Sequence, residues 1–99
     1  MDLHEAQLSG NWHKNSQEQC AAGYAAHLHL QSNGLYVGSS EPAGTFTWWD
    51  QGTWALQGPG KLAISTANDE VVTYTYSLSD DTLTFTDPTG CRFSYRRAP

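Results

Sequence analysis

Val71-Val72-Thr73-Tyr74-Thr75-Tyr76-Ser77-Leu78-Ser79, followed by Asp80-Asp81 and Thr82-Leu83-Thr84-Phe85-Thr86, is the stretch that decides the fold. Val72, Tyr74, Tyr76 and Leu78 share one face, and Val71, Thr73, Thr75 and Ser77 the other. Leu83 and Phe85 then alternate with threonines. A period of two belongs to a strand with one buried face, since successive side chains point to opposite sides. Ser79-Asp80-Asp81 between the two runs makes them a hairpin. Asp87-Pro88-Thr89-Gly90 turns the chain again. In the last run Cys91, Phe93 and Tyr95 share one face, and Arg92, Ser94 and Arg96 the other.

The same pattern runs back towards the N-terminus. Lys61 to Ser65 alternates and ends at Asn68-Asp69-Glu70. Gly58-Pro59-Gly60 cannot continue a ladder and separates it from Thr53-Trp54-Ala55-Leu56. Thr45 to Trp49 reads as a further strand, with Asp50-Gln51-Gly52 as the turn after it. His27-Leu28-His29-Leu30 and Leu35-Tyr36-Val37-Gly38 flank Asn33-Gly34, which predicts a two-residue type I′ hairpin. A first strand lies around Leu8 to Lys14. The only helix-like stretch is Gln17 to Ala26, interrupted by Gly23, which leaves room for one short helix or a turn. Eight or nine short strands with turns every 8–12 residues or so describe a barrel or sandwich. No connection after residue 31 is long enough for a helical crossover, so neighbours should pair antiparallel. Closing the sheet would remove exposed edges.

Composition narrows the function classes. The chain has 99 residues, a formal net charge of −5 and 12% aromatic residues. That is one domain's length, with large side chains for a core. We expect a flexible segment over residues 1–7 and a single barrel domain over 8–99. Only five residues are basic, and Arg92, Arg96 and Arg97 sit near the C-terminus, so no basic stripe offers itself to nucleic acid. No apolar run approaches the roughly 20 residues that span a bilayer as a helix. The start, Met1-Asp2-Leu3-His4-Glu5, is polar. If the chain is exported, its leader is not in this sequence.

Gly10-Asn11-Trp12 on the first strand and Arg96-Arg97 at the end of the last resemble the lipocalin superfamily. Gly52-Thr53-Trp54, Leu62-Ala63-Ile64, Tyr74-Thr75-Tyr76, Asp81 to Phe85 and Gly90 add a resemblance to small bacterial, extracytoplasmic lipocalin-like (calycin) domains. The resemblance implies an up-and-down barrel. In it Trp12 plugs one end and Arg96 or Arg97 stacks across the indole, an interaction of roughly 0.5–2 kcal/mol. It also implies secretion or a periplasmic location. The chain is much shorter than true lipocalins and lacks their C-terminal helix, which argues against a large cavity. Inward Trp54, Tyr74 and Tyr76 either fill the core or line a small pocket, and strands this short favour a mostly filled core.

Cys20 and Cys91 are the two cysteines. Count alone allows a disulfide or two buried thiols. If the first and last strands pair antiparallel, Cys91 falls beyond the far end of the first strand, where the loop holding Cys20 departs. The strand map therefore favours the bridge.

For candidate sites, His27 and His29 share a strand face but have no third ligand of clear spacing, and we read them as solvent-facing with no metal. Asp50, Asp69, Glu70, Asp80, Asp81 and Asp87 all fall in turns, where acidic side chains bond locally. No phosphate loop, nucleophile elbow or Ser/His/Asp grouping is visible, so no catalytic residue and no cofactor is expected. The informative set is aromatic. Adjacent Trp48 and Trp49 cannot both face inward on a regular strand, so one is outside or the strand bulges. An outward tryptophan is a candidate contact for a protein partner or a second copy of the chain, giving a homodimer. Trp48, Trp54, Tyr36, Tyr74 and Tyr76 are the candidate ligand-binding residues. The function these features favour is a non-catalytic binding module for a small apolar or aromatic ligand or a protein partner. One alternative is an inhibitor of a secreted metalloprotease acting through residues 1–7, since small bacterial inhibitors of that kind resemble the Leu8-Ser9-Gly10-Asn11-Trp12 opening. Their disulfide closes a short loop, whereas Cys20 and Cys91 are far apart. The other alternative is a structural or oligomerisation domain.

Overall fold

The computed structural model describes residues 8–15, 18–40 and 46–98. Among the described residues eight strands follow one another: β1 (Gly10–Lys14), β2 (His27–Leu30), β3 (Leu35–Ser39), β4 (Gln51–Gly58), β5 (Lys61–Ser65), β6 (Val71–Ser79), β7 (Thr82–Thr86) and β8 (Arg92–Arg97). Each pairs antiparallel with its neighbour in sequence, and β8 pairs back onto β1 to close an up-and-down barrel. The closing register sets Trp12 against Arg97, His13 against Arg96 and Lys14 against Tyr95. A 3-10 turn, Gln19–Ala21, lies within the helix-like stretch.

Alternation translates into burial as the period requires. Leu28 and Leu30 are buried while His27 and His29 are exposed. Leu83 and Phe85 face the core between half-buried threonines, as do Phe93 and Tyr95 on β8. The Asn33-Gly34 turn departs from the type I′ expectation. Only Gly34 has positive φ (88°), and Gln31 N–H bonds back to the Leu35 carbonyl around a three-residue loop. Asn33 escapes the left-handed region because its side-chain oxygen instead accepts the Leu35 N–H at 3.1 Å. A three-residue loop with glycine in the left-handed position is the next commonest hairpin.

The second departure concerns the strand read over Thr45 to Trp49. Thr45 lies outside the described residues, and Phe46 to Trp49 form no strand. The turn expected at Asp50-Gln51-Gly52 is instead occupied from Gln51 by the start of β4. Residues 46–49 make hydrogen bonds to two different loops rather than to a ladder. Trp48 N–H donates to Gly23 O at 2.7 Å, and Ala67 N–H donates to Trp48 O at 2.8 Å. Gly38 lets the chain pass. A Cβ there would stand 1.9 Å from the Trp49 carbonyl oxygen, closer than any real contact.

The two ends of the barrel differ. At one end are the tight turns after β2, β4 and β6, together with the start of β1 and the end of β8. Trp12 is buried there, its indole N–H donating to Leu8 O at 2.9 Å. The Arg97 guanidinium sits 4.3 Å from the ring centroid, 3.5 Å from an Asp81 carboxylate oxygen, and donates to Ser9 O. Arg96 points outward from the same strand. At the other end are the longer connections after β1, β3, β5 and β7. There Cys20 and Cys91 form a disulfide with a Cα–Cα distance of 5.9 Å. Segment 1–7, read from the sequence as flexible, lies outside the described residues.

Candidate functional site

The loop-bearing end is where the exposed aromatic residues collect. Trp49 points into the barrel and is fully buried, whereas Trp48 is 39% exposed and Phe46 62% exposed. Phe46 meets Trp48 edge to face, with centroids 4.9 Å apart. The Trp49 indole occupies the interior. It packs edge-on against Tyr74 and Phe85 at 5.2 and 5.1 Å, and its N–H reaches the Tyr74 hydroxyl at 3.2 Å. Tyr24 closes over it from the first loop at 4.8 Å and stacks on Phe93 at 4.3 Å. The inner residues of β6, β7 and β8 therefore surround an aromatic plug supplied by a loop.

Above this plug lies a cleft of about 240 Å³. Tyr24, Trp48, Val72, Tyr74 and Pro88 form its apolar walls. Thr66, Asn68, Glu70, Asp87 and Thr89 supply polar groups. Asp87 organises one side. Its Oδ1 accepts the Thr89 N–H at 3.0 Å, the Thr89 hydroxyl at 2.7 Å and the Cys91 N–H at 2.8 Å. Its Oδ2 accepts the Tyr24 hydroxyl at 2.9 Å. Burial alone would raise the Asp87 pKa, but these hydrogen bonds outweigh it and hold the carboxyl below its ordinary value. Burial, and then the bond to Asp87, push the Tyr24 phenol far up, and burial raises Tyr74 too. At neutral pH Asp87 is thus a carboxylate held in place by these donors, and the phenols of Tyr24 and Tyr74 are neutral.

The turn motif Asp87-Pro88-Thr89-Gly90 accounts for most of this geometry. An aspartate that opens a turn bonds the backbone two residues on, and here the same side chain reaches a fourth donor from β1's loop. Lys14 steadies that loop from below, its ammonium donating to Ala21 O and Tyr24 O at 2.8 Å each. The Cys20–Cys91 bridge ties the same two connections together.

Of the five aromatic residues singled out in the sequence, Trp48 and Tyr74 meet in this cleft. The other three lie elsewhere. Trp54 is buried with its indole N–H on Gln31 O, at the tight-turn end. Tyr36 is anchored by its hydroxyl to Ser65 O and borders a separate groove beside β3 and β4. Tyr76 is partly buried beside the core, with its backbone bonded to Gly60 O at the tight-turn end. Tyr24, Val72, Glu70 and Asp87 belong to the cleft and were not singled out. Tyr24 sits in a loop without alternation, and the acidic residues carried only the signal of turns.

On the outer wall His13 stacks on His27, with centroids 4.5 Å apart and planes at 16°. Among the described residues no group of three or more His, Cys, Asp or Glu could hold a metal ion. No helix among them is long and apolar enough to cross a membrane. The closed eight-stranded barrel fits a calycin-like fold. No family model, curated protein or solved structure matches the chain.

Proposed function

We propose that the protein is a non-catalytic, lipocalin-like binding module that works outside the cytoplasm and takes its ligand at the loop-bearing mouth of the barrel. The carrying observation is the split between Trp48 and Trp49: one indole fills the interior, and its neighbour stands exposed at the lip of an aromatic cleft. An exposed tryptophan beside an exposed phenylalanine is the kind of rigid apolar surface that binding sites use. A cleft of about 240 Å³ suits a small aromatic or apolar molecule, or one side chain of a protein partner. The deep calyx of larger barrels is replaced here by the Trp49 plug. The disulfide is compatible with an oxidising compartment and supports the extracytoplasmic assignment.

The test is a fluorescence titration with N-phenyl-1-naphthylamine, a neutral aromatic probe. The wild-type chain should enhance probe emission saturably. Trp48→Ala should weaken binding about tenfold, the scale of a lost aromatic anchor. The double variant Leu35→Ser/Val37→Ser, which removes exposed apolar side chains on the outer wall of β3, should leave it unchanged. Binding lost in the β3 variant and retained in Trp48→Ala would place the site elsewhere.

A further inference from the structure

The charged residues in the described connections at the mouth are all acidic. These connections, over the described residues 15, 18–26, 40, 46–50, 66–70 and 87–91, contain Glu18, Asp50, Asp69, Glu70 and Asp87 and no lysine, arginine or histidine. The bases at the adjoining strand ends are Lys14, His27 and Arg92, and His27 stacks on His13 on the outer wall. Lys14 is bonded to two loop carbonyls, and Arg92 borders a different groove beside the disulfide. The ion pair seen among the described residues, Arg97 with Asp81, is at the opposite end of the barrel. Two of the mouth's acidic residues, Asp87 and Glu70, are among those that line the cleft with Trp48, Tyr24 and Tyr74, and Glu70 Oε1 accepts the Asn68 side-chain N–H at 2.9 Å. Aromatic faces and carboxylates attract the same partner, a positive charge on an apolar body.

We infer that the cleft is selective for small organic cations, an ammonium group carried on an aromatic or aliphatic body, with Asp87 and Glu70 supplying charge and Trp48 and Tyr24 the aromatic surface. The inference rests on the mouth being the binding site and specifies its ligand class. The body would lie against Trp48, Val72 and Pro88. The ammonium would face the two carboxylates without displacing the bonds Asp87 already accepts, since a carboxylate has about four lone-pair positions but its charge acts beyond them. A neutral analogue would keep the apolar contact and lose the charge. An anionic one would meet repulsion.

Three molecules of matched size separate these cases: phenethylamine, 2-phenylethanol and 3-phenylpropionate. Each is titrated at low salt into the full chain while the Trp48 indole N–H is followed by proton–nitrogen correlation spectra. Phenethylamine should bind at least about fivefold more tightly than 2-phenylethanol, and 3-phenylpropionate more weakly than either. Glu70→Gln, which changes an exposed charge without touching the core, should reduce the amine's advantage by about threefold. Asp87→Asn should reduce it further if the turn still folds, and Glu70→Gln decides the matter if it does not. Equal affinities for all three molecules overturn the inference and leave the mouth standing as the binding site. An amine preference unchanged in Glu70→Gln overturns it as well. If none of the three moves Trp48, the inference and the site fall together.

Discussion

Arg97 stands over Trp12, its guanidinium carbon 4.3 Å from the indole centroid, where the last strand of the barrel meets the first. The same side chain joins Asp81 in the β6–β7 turn and Ser9 before β1. Three separate parts of the chain are therefore held by one residue. Arg97→Ala should cost about 1–2 kcal/mol, from the lost cation–π contact and hydrogen bonds. Arg96→Ala, on the outward face, should stay within about 0.5 kcal/mol of wild type. Urea midpoints decide this, and equal losses would remove Arg97 from its closing role.

The plug predicts an asymmetry between neighbours. Trp49→Ala leaves a large cavity among Tyr74, Phe85, Phe93 and Tyr95 and should destabilise by about 3–5 kcal/mol. Trp48→Ala should cost less than about 1 kcal/mol, because its indole is part-exposed. Thermal melts of the two variants side by side test the split. Similar losses would mean that both indoles serve the core.

Gly38 makes a related prediction with a smaller atom. Gly38→Ala adds one methyl where the Trp49 carbonyl passes, so the 46–49 segment must lift. Tryptophan emission should shift to the red as Trp49 loses its apolar surroundings, and stability should fall by about 2 kcal/mol or more. An unshifted spectrum would show that the segment can pass with a Cβ beneath it.

Acid should loosen the mouth. The folded state holds the Asp87 pKa below its ordinary value of 3.8. A carboxyl with a depressed folded pKa contributes stability that is fully present above the unfolded value and lost as pH falls through the folded one. The wild-type melting temperature should therefore drop below about pH 4, and Asp87→Asn should flatten that drop while lowering stability at neutral pH. A drop of undiminished steepness in Asp87→Asn would assign the acid sensitivity to other groups.

The disulfide closes a loop across 71 positions, from Cys20 to Cys91. Constraining so long a loop stabilises by roughly 4 kcal/mol in the chain-entropy model. Cys20→Ser/Cys91→Ser should shift the urea midpoint by a corresponding amount. A shift below about 1 kcal/mol would mean that β8 and the first loop stay together without it.

The barrel was legible in the sequence because burial on one face writes a period of two, and the closing strands carried it cleanly: Tyr74, Phe85 and Phe93 all lie inside as the alternation required. The bridge between Cys20 and Cys91 followed from the same map. The mouth was not legible. Trp48 and Trp49 look like part of a strand because their neighbours are β-formers, and it is tertiary hydrogen bonds, of Trp48 with Gly23 and Ala67 and of the Trp49 indole with Tyr74, that set one at the lip and the other inside. Tyr24 and Asp87 are 63 positions apart, and nothing local in either residue's surroundings announces the bond between them. Gly38 carried no signal of its role, since its lack of a side chain matters only against a backbone atom from another loop.

The four tryptophans report on four different places, so one experiment can locate a bound probe. Trp12 lies under Arg97, Trp54 is bonded to Gln31, Trp49 fills the interior and Trp48 stands at the lip of the cleft. The measurement is fluorine NMR of the chain labelled with 5-fluorotryptophan, titrated with N-phenyl-1-naphthylamine. Binding at the mouth over a filled barrel predicts that the Trp48 resonance moves while Trp12 and Trp54 hold still and Trp49 changes little. A large movement of Trp49 would show the probe displacing the plug to enter the interior, and a silent Trp48 would show that the mouth is not the site.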